Sequence, residues 1–408
     1  AGDGPHARTA REMAVAGCAR AAEVLRHAPA ARRPRGLRRC GSENRRRVPL
    51  RATPEGEGEE VDDGLEALLA DLDLDMDLDE LLEPPSIDGD LSELLADSGA
   101  AEVDAATGVA LTYNNDVDAY DAALGAEDTS RAAVVDLSHG GRVRVAGEGR
   151  RAFLVRETTY GGRPGELAMV GGAGEALDVA LCVAQGRSEM LMVAPESRGD
   201  AARELQARVR GGEDVSVTDV SGATAQFAIV GEGATESLRS LLGQENAEAE
   251  AVLGGAVGDA CMVGLEGAPC SLIRAEPLGP HTPVFMLVVD ASVTAEAFAA
   301  LCKAGCVPMG SNCFEKLRVR CGRPRRGFEL GVAEAARTPL EANLWHACPA
   351  VEGSQESAAE ASAGVAEVRQ RAAARAMEHQ LWSLELPVYV PPGDAVEVDG
   401  ADQGMLTS

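Results

Sequence analysis

Charged residues are segregated along this chain of 408 residues, and the segregation limits where a packed core can form. The first 52 residues carry 13 arginines against four acidic residues, whereas residues 53–104 carry twenty acidic residues and no basic residue. Like charges at such density repel one another and oppose the burial of apolar side chains. We therefore expect the folded region to begin near Gly108, which leaves roughly 300 residues, enough for two or three domains.

The two charged segments predict a leader and a linker. Residues 1–52 are rich in arginine and nearly free of acidic residues, which is typical of an organellar transit peptide. The segment ends in VPLRA and is followed at once by acidic sequence, a pattern that favours the plastid, with a mitochondrial presequence or a basic tail as alternatives. Residues 53–107 are predicted to be a disordered acidic linker. They form no calcium-binding EF-hand, because no glycine stands at the sixth position of such a loop.

Composition argues against three classes of function. The net charge of −28 repels nucleic-acid phosphate, so direct nucleic-acid binding is not expected. No run of 18 apolar residues is present, so we predict neither a transmembrane helix nor a membrane partner. The ten cysteines include no C-x-x-C pair, and Cys302 and Cys306 have no second pair or histidine at ligand spacing. We therefore predict buried reduced thiols and no metal site.

Strands and helices are mixed irregularly after residue 108. Alternating apolar residues predict strands at 142–146, 177–183, 188–194, 215–220, 225–230 and 283–289. Helical periodicity predicts helices at 119–126, 200–209, 235–242 and 294–304. This order of elements predicts an α+β core and not a doubly wound sheet. From Gln380 onward the pattern is all-β.

Two distant stretches carry recognisable motifs. Residues 134–159 read VVDLSHGGRVRVAGEGRRAFLVRETT, and residues 307–345 read VPMGSNCFEKLRVRCGRPRRGFELGVAEAARTPLEANLW. Together they resemble the folate-binding aminomethyltransferase superfamily, which comprises the glycine-cleavage T-protein and YgfZ-like proteins, and the plastid YgfZ-like branch in particular. In that superfamily D-x-S-H-x-G-R opens the first folded domain, and the E-x-L-R, G-R-P and L-E-A-x-L-W motifs belong to the part that contacts folate.

The resemblance implies a multi-domain ring of α+β domains with a C-terminal β-barrel. Residues 108–348 correspond to the folate-binding region and residues 349–379 to a low-complexity insertion. Residues 380–408 resemble the opening of the barrel, which is expected to be truncated because the sequence stops just after the first expected strand.

The resemblance also implies four cofactor-binding residues, none of which is assigned a catalytic role. Asp178, in EALDVALCV, stands on the strand that carries the family's pterin-facing carboxylate, and a carboxylate can accept paired N–H bonds from an aminopyrimidine. Arg318 would place a fixed guanidinium near the cofactor. Glu341 matches the L-E-A-x-L-W glutamate and is expected to fix a loop. His139 belongs to the D-x-S-H motif, and both a structural and a functional role are open for it.

Two departures from the family pattern count against full activity. Pro283 and Val284 stand where the family has an acidic residue and a glycine, so a second pterin-side carboxylate is missing. The YgfZ signature K-G-C-Y-x-G-Q-E should follow LEANLW, but only Gly353, Gln355 and Glu356 echo it.

Three functional hypotheses follow from the resemblance. The first is a tetrahydrofolate-binding YgfZ-like protein that supports iron–sulfur cluster assembly or repair in the plastid, with folate and iron–sulfur proteins or assembly factors as partners. The second is a glycine-cleavage aminomethyltransferase, which would make methylene-tetrahydrofolate and ammonia. The third is a degenerate, non-catalytic folate binder or adaptor, which the missing signature favours.

Overall fold

The computed structural model describes residues 95–96, 98–125, 131–243, 246–265, 267–279, 282–332, 337–349, 361–375, 377, 380–381, 395–398 and 401–405. The predicted leader at residues 1–52 and most of the predicted linker at 53–107 lie outside these residues. The echo of the YgfZ signature at 353–356 also lies outside them.

The described residues form eight α-helices and fifteen strands. The helices are α1 (Asp116–Leu124), α2 (Arg150–Glu157), α3 (Asp200–Ala207), α4 (Ala234–Leu242), α5 (Ala247–Leu253), α6 (Thr294–Lys303), α7 (Ser311–Arg320) and α8 (Ala363–Ala374). The strands are β1 (Glu102–Val103), β2 (Ala110–Thr112), β3 (Ala132–Asp136), β4 (Gly141–Ala146), β5 (Gly165–Val170), β6 (Ala176–Gln185), β7 (Ser188–Val193), β8 (Ser216–Asp219), β9 (Thr224–Val230), β10 (Ala260–Leu265), β11 (Ala268–Leu278), β12 (Thr282–Asp290), β13 (Cys306–Met309), β14 (Ala395–Val398) and β15 (Ala401–Met405). Among the described helices, none is long and apolar enough to cross a lipid bilayer.

A six-stranded sheet forms the larger of the two cores. Its strand order is β10-β11-β12-β9-β3-β13, and every neighbouring pair is antiparallel except the parallel pair of β13 and β3. One face packs against α4, α5 and α6, with Phe227, Phe285 and Phe298 fully buried at its centre. Such large side chains supply much of the buried apolar area in a chain with few aromatic residues.

A five-stranded antiparallel sheet forms the second core, in the order β5-β6-β7-β4-β8. Helices α2 and α3 cover one face, where Phe153, Leu154 and Leu205 are buried. From the opposite face, Leu181 and Met192 reach the second face of the six-stranded sheet. Successive strand residues point to opposite faces, so the alternation in β6 and β7 lets one hairpin serve both layers.

The fold is mixed α/β, and most of the predicted elements are present within a few residues of their predicted bounds. The hairpin predicted around the Gln185–Arg187 turn is confirmed as β6 and β7, and Gly186 adopts the left-handed φ of 60° that this tight turn needs. Seven of the described strands were not predicted, namely β1, β2, β3, β5, β10, β11 and β13. In the C-terminal region that reads as all-β, β14 and β15 pair as an antiparallel hairpin.

Helix α8 lies within the segment predicted to be a low-complexity insertion. Val365 and Val368 pack against Ala168 and Val170 of β5. The first turn of the helix approaches the β5–β6 turn so closely that a Cβ atom on Gly364 would lie 1.8 Å from the carbonyl oxygen of Gly171. Only a glycine permits this contact between two backbones.

We predict that Gly364→Ala displaces α8 and lowers the free energy of unfolding by about 1–3 kcal/mol, because the added methyl group overlaps backbone that cannot move freely. Chemical denaturation of the full chain measures the change. Gly172→Ala is the matched control, since a Cβ there meets nothing within 4 Å. Equal stability of the two variants would contradict the close approach.

Candidate functional site

A cavity of about 140 Å³ lies where the loop after β3, the end of β7, strand β9 and helix α7 meet. We name it the His139 cavity. Its walls combine apolar side chains with an imidazole, an amide, a hydroxyl and charged groups. The lining residues are Leu137, His139, Gly140, Val193, Ala194, Pro195, Gln226, Ser311, Phe314, Glu315, Arg318 and Arg325. A larger open groove of about 430 Å³ beside α5 and β10 contains none of the motif residues, so it is not the first choice for the site.

The D-x-S-H motif forms a tight turn at the edge of this cavity. The Asp136 carboxylate accepts a 2.8 Å hydrogen bond from the Ser138 amide, and the Ser138 hydroxyl accepts one of 3.0 Å from the Gln226 amide. Burial raises the pKa of Asp136, while the bonds from Ser138 oppose that rise. Asp136 and Ser138 thus hold the turn that carries His139.

Arg142, the arginine of the same motif, is fully buried and anchors the turn. Its Nη1 donates to the carbonyl of Gly140 at 2.8 Å, and both Nη atoms lie within 3.2 Å of the Ser138 carbonyl. On its other side the guanidinium donates to the carbonyls of Ser221 at 2.6 Å and Thr224 at 2.8 Å, and Nε donates to the Thr224 hydroxyl at 2.8 Å. Burial lowers the pKa of Arg142 to about 10, so it remains a cation at neutral pH. The sequence predicted only that this residue begins a strand.

His139 presents an unsatisfied nitrogen at the cavity. Its Nδ1 is buried and has no hydrogen-bond partner among the described residues. Burial, followed by the nearby guanidinium of Arg325, lowers the pKa of His139. The ring is therefore neutral near pH 7 and keeps one nitrogen that can accept a hydrogen bond and one that can donate.

Asp178 lies next to the cavity but does not line it. Its carboxylate is completely buried and accepts hydrogen bonds from the Ser197 hydroxyl, the Val179 amide at 2.8 Å and the Ala194 amide at 3.2 Å. Ala194 also lines the cavity, so its backbone amide connects the Asp178 carboxylate to the cavity wall. Burial raises the pKa of Asp178 to about 6, and the bond from Ser197 lowers it in part.

Arg318 lines the cavity, but its donors are occupied by the protein. It pairs with Glu315 at 2.6 Å and with Glu329 at 3.0 Å, and Nη1 also donates to the carbonyl of Arg323. Arg325 lies beside it and pairs with Glu315 at 2.9 Å and with Glu196. These pairs complete a network in which each guanidinium faces two carboxylates.

Helix α7 begins differently from the sequence prediction. The spacing of Asn312 and Glu315 in the sequence predicts a capping box, but the N-cap is Gly310 and no side chain caps the helix. This prediction was wrong because the Glu315 carboxylate turns towards Arg318 and Arg325. Charge-assisted bonds to two guanidinium groups outweigh one bond to a helix amide.

Glu341 lies away from the cavity and fixes a loop, as its match to the family motif implied. Its Oε2 accepts bonds from the Thr338 amide at 2.9 Å and the Thr338 hydroxyl at 3.0 Å. Its carbonyl accepts a 2.8 Å bond from the Leu381 amide. The structure thus brings His139, Arg318 and the neighbourhood of Asp178 together, and leaves Glu341 apart.

Gln226 and Arg325 also face the cavity, although no sequence pattern indicated Gln226. The arginine run GRPRRG was a signal for Arg325. In the described part of the chain, no group of three or more His, Cys, Asp or Glu side chains is arranged to hold a metal ion.

We predict that Arg142→Lys lowers the free energy of unfolding by about 3 kcal/mol, because an ammonium group cannot reproduce the fork of bonds and leaves buried carbonyls unpaired. Arg144→Lys is the control, since Arg144 lies on the same strand with an exposed side chain. Denaturant unfolding at constant pH measures both variants. A loss shared by the two variants would mean that the buried network is not the cause.

Asp178 predicts a pH dependence of stability. Its folded-state pKa of about 6 exceeds the value of about 3.9 for an unfolded aspartate, so the folded chain holds the proton more tightly. This contribution is complete below about pH 4 and is lost as the pH rises through about 6, at a cost of up to about 3 kcal/mol. The stability difference between Asp178→Asn and the original chain should therefore change over this window in favour of the variant. A difference that is constant between pH 4 and 7 would refute the shift.

Comparison with known proteins identifies relatives of this chain. The GCVT N-terminal domain family matches residues 109–350, which is more than half of the chain. A chloroplastic protein of Arabidopsis thaliana, named as a candidate transferase, is 27% identical over 332 residues, covering 80% of this chain and 71% of the relative. An aminomethyltransferase of Streptomyces avermitilis is 30% identical over 232 residues, covering 53% of this chain and 58% of the relative.

A solved structure shares the fold. The glycine cleavage system aminomethyltransferase T of Bartonella henselae superposes with a TM-score of 0.55 at 17% identity, covering 69% of this chain and 73% of that one. The motifs, the fold and the domain match agree, and the chain belongs to the aminomethyltransferase family that carries the GCVT N-terminal domain.

Proposed function

We propose that this protein binds tetrahydrofolate and acts as a YgfZ-like factor that supports iron–sulfur cluster assembly or repair in the plastid. Membership of the aminomethyltransferase family carries the folate part of this proposal. The match to a chloroplastic relative over 80% of the chain supports the plastid. The role in cluster assembly rests on the resemblance of the motifs to the YgfZ-like branch.

The chemistry of the His139 cavity fits part of such a ligand. Apolar walls that include Phe314 suit the face of a flat ring, and the unpartnered Nδ1 of His139 suits a hydrogen bond at its edge. A cavity of about 140 Å³ holds a fragment and not a whole folate, so the remainder of the ligand would lie outside it. We propose His139 as the direct contact there. Arg318 then shapes the wall, because its donors are already used.

Asp178 remains the proposed pterin carboxylate. The Ser197 hydroxyl donates to one of its oxygens. We propose that an N–H group of the ligand replaces this hydroxyl as the donor. Glu341 is proposed to act indirectly, by holding the loop that ends in the L-E-A-x-L-W motif.

The proposed organisation follows the sequence boundaries: a leader at 1–52, an acidic linker at 53–107, the folate-binding region at 108–348 and an insertion at 349–379. The hairpin of β14 and β15 is proposed to belong to the family's C-terminal barrel.

A glycine-cleavage aminomethyltransferase is the second candidate, because the relative from Streptomyces avermitilis carries that name. One observation weighs against it. Pro283, which is half-buried in β12, stands where the family has its second pterin-side acid, so no carboxylate is present at that position. A non-catalytic binder or adaptor is the third candidate, and the missing K-G-C-Y signature favours it.

We predict that calorimetric titration of the full chain with tetrahydrofolate gives saturable binding, and that Asp178→Asn weakens it at least about tenfold through loss of a charge-assisted bond. Glu250→Gln is the control, because this exposed carboxylate pairs with Arg239 far along the chain from the motif residues. An unchanged affinity in Asp178→Asn would remove Asp178 from the site.

If the chain unfolds cooperatively, and is therefore folded, but does not bind tetrahydrofolate, the folate proposal is overturned and the adaptor hypothesis remains. Ammonia release from an aminomethyl-loaded lipoyl protein would instead favour the glycine-cleavage reaction.

A further inference from the structure

Three separate segments meet at the carboxylate of Glu166. Glu166 belongs to β5, Arg323 to the turn after α7, and His346 to the short 3-10 turn Trp345–Ala347 that follows the L-E-A-x-L-W motif. One oxygen of Glu166 accepts a bond from Arg323, and the other lies 2.7 Å from Nε2 of His346. The Glu166 side chain is 8% exposed, whereas that of His346 is 33% exposed. The imidazole thus joins a buried anion to the surface.

The short contact fixes which ring nitrogen carries the proton. Two acceptors would repel each other at 2.7 Å, so Nε2 of His346 is the donor to Glu166. The Arg323 Nη1 atom at 3.3 Å from the same nitrogen then cannot donate to it. The lone pair of the neutral ring is therefore on Nδ1. In the part of the chain that the structure describes, nothing forms a hydrogen bond with that nitrogen.

The surrounding charges favour this arrangement. Burial opposes ionisation of Glu166, but Arg323 and then His346 hold its pKa below the usual range, so it stays an anion. Glu276 of β11 faces the same cluster, and burial raises its pKa. The charged groups around His346 are therefore Glu166 on β5, Arg323 on the turn and Glu276 on β11. A histidine held through one nitrogen by a buried carboxylate, with the other nitrogen free, is the geometry of an oriented proton acceptor.

We propose that Nδ1 of His346 is a proton-accepting contact for an N–H group of the bound folate, with Glu166 as the positioning residue that keeps the proton on Nε2. This inference rests on the proposed function. It assigns a role to a residue outside the D-x-S-H, E-x-L-R and L-E-A-x-L-W motifs.

The turn that carries Arg323 also connects this cluster to the His139 cavity. Arg318 lines that cavity and donates to the backbone carbonyl of Arg323, while the side chain of Arg323 reaches Glu166. The same short stretch of backbone therefore positions the His139 cavity and the cluster around Glu166. An elongated ligand with several N–H groups suits a site that includes both. Folate has such groups both on its ring and along its chain.

The test compares affinity for tetrahydrofolate by calorimetry on the full chain at one constant pH. His346→Ala should bind about tenfold more weakly at pH 8, which corresponds to one lost hydrogen bond. His346→Gln should restore most of this affinity, because an amide can donate to Glu166 and still accept from the ligand. An affinity of His346→Gln as low as that of His346→Ala would overturn the proposal.

Glu250→Gln is the control, because it removes a carboxylate that pairs with Arg239 outside this cluster. It should bind tetrahydrofolate as tightly as the original chain. A loss of affinity in Glu250→Gln equal to that in His346→Ala would overturn the proposal.

A second measurement separates this inference from the proposed function. If tetrahydrofolate gives no heat at all, the proposed function fails, and ¹⁵N spectra of the histidine rings then decide the state of His346. A proton on Nε2 with a bare Nδ1 supports the oriented acceptor. A proton on Nδ1 overturns it. Loss of the Nε2 tautomer in Glu166→Gln, with Glu250→Gln unchanged, would support the positioning role of Glu166.

Discussion

The buried guanidinium of Arg142 is the interaction on which the rest of the site depends. Taking this cation out of water costs several kcal/mol, and the cost is met only because carbonyls on both sides of it accept its protons. Those carbonyls belong to the D-x-S-H turn and to the connection between β8 and β9. One side chain of the five-stranded sheet therefore holds two connections that join this sheet to the six-stranded sheet. These bonds fix the backbone conformation on both sides of His139, and the imidazole faces the cavity as a result.

Arg318 in the last turn of α7 and Arg325 after the helix follow a second constraint, which is charge neutrality in a partly buried place. Arg318 and Arg325 share Glu315, and each has a further carboxylate of its own in Glu329 or Glu196. The cationic sequence EKLRVRCGRPRR therefore does not produce a free basic patch at the cavity. The cavity offers the proposed ligand shape, an aromatic wall and single hydrogen bonds, which suit a neutral ring better than the carboxylates of a glutamyl tail.

The sequence predicted the elements better than it predicted the contacts between them. The β6–β7 hairpin was predictable because a glycine turn and apolar alternation are local signals. The proximity of His139 to Arg325 was not predictable, because 186 residues separate them in the sequence and a local pattern does not indicate a distant contact. Helix α8 was missed for another reason. Its sequence is poor in large apolar residues, and its place depends on the close approach of Gly364 to Gly171, which appears only when both backbones are folded.

The β5–β6 hairpin carries two buried carboxylates on opposite faces, and this limits how a ligand can use them. Asp178 pairs across the ladder with Met169, three residues from Glu166, and an odd spacing reverses the face of a strand. Asp178 therefore lies on the face covered by α2 and α3, while Glu166 lies on the face that His346 covers. A flat ring can contact only one of them. Strand β5 is at the edge of its sheet, so a ligand that contacts both carboxylates must pass around that edge. The ring of such a ligand would contact one carboxylate and its chain the other.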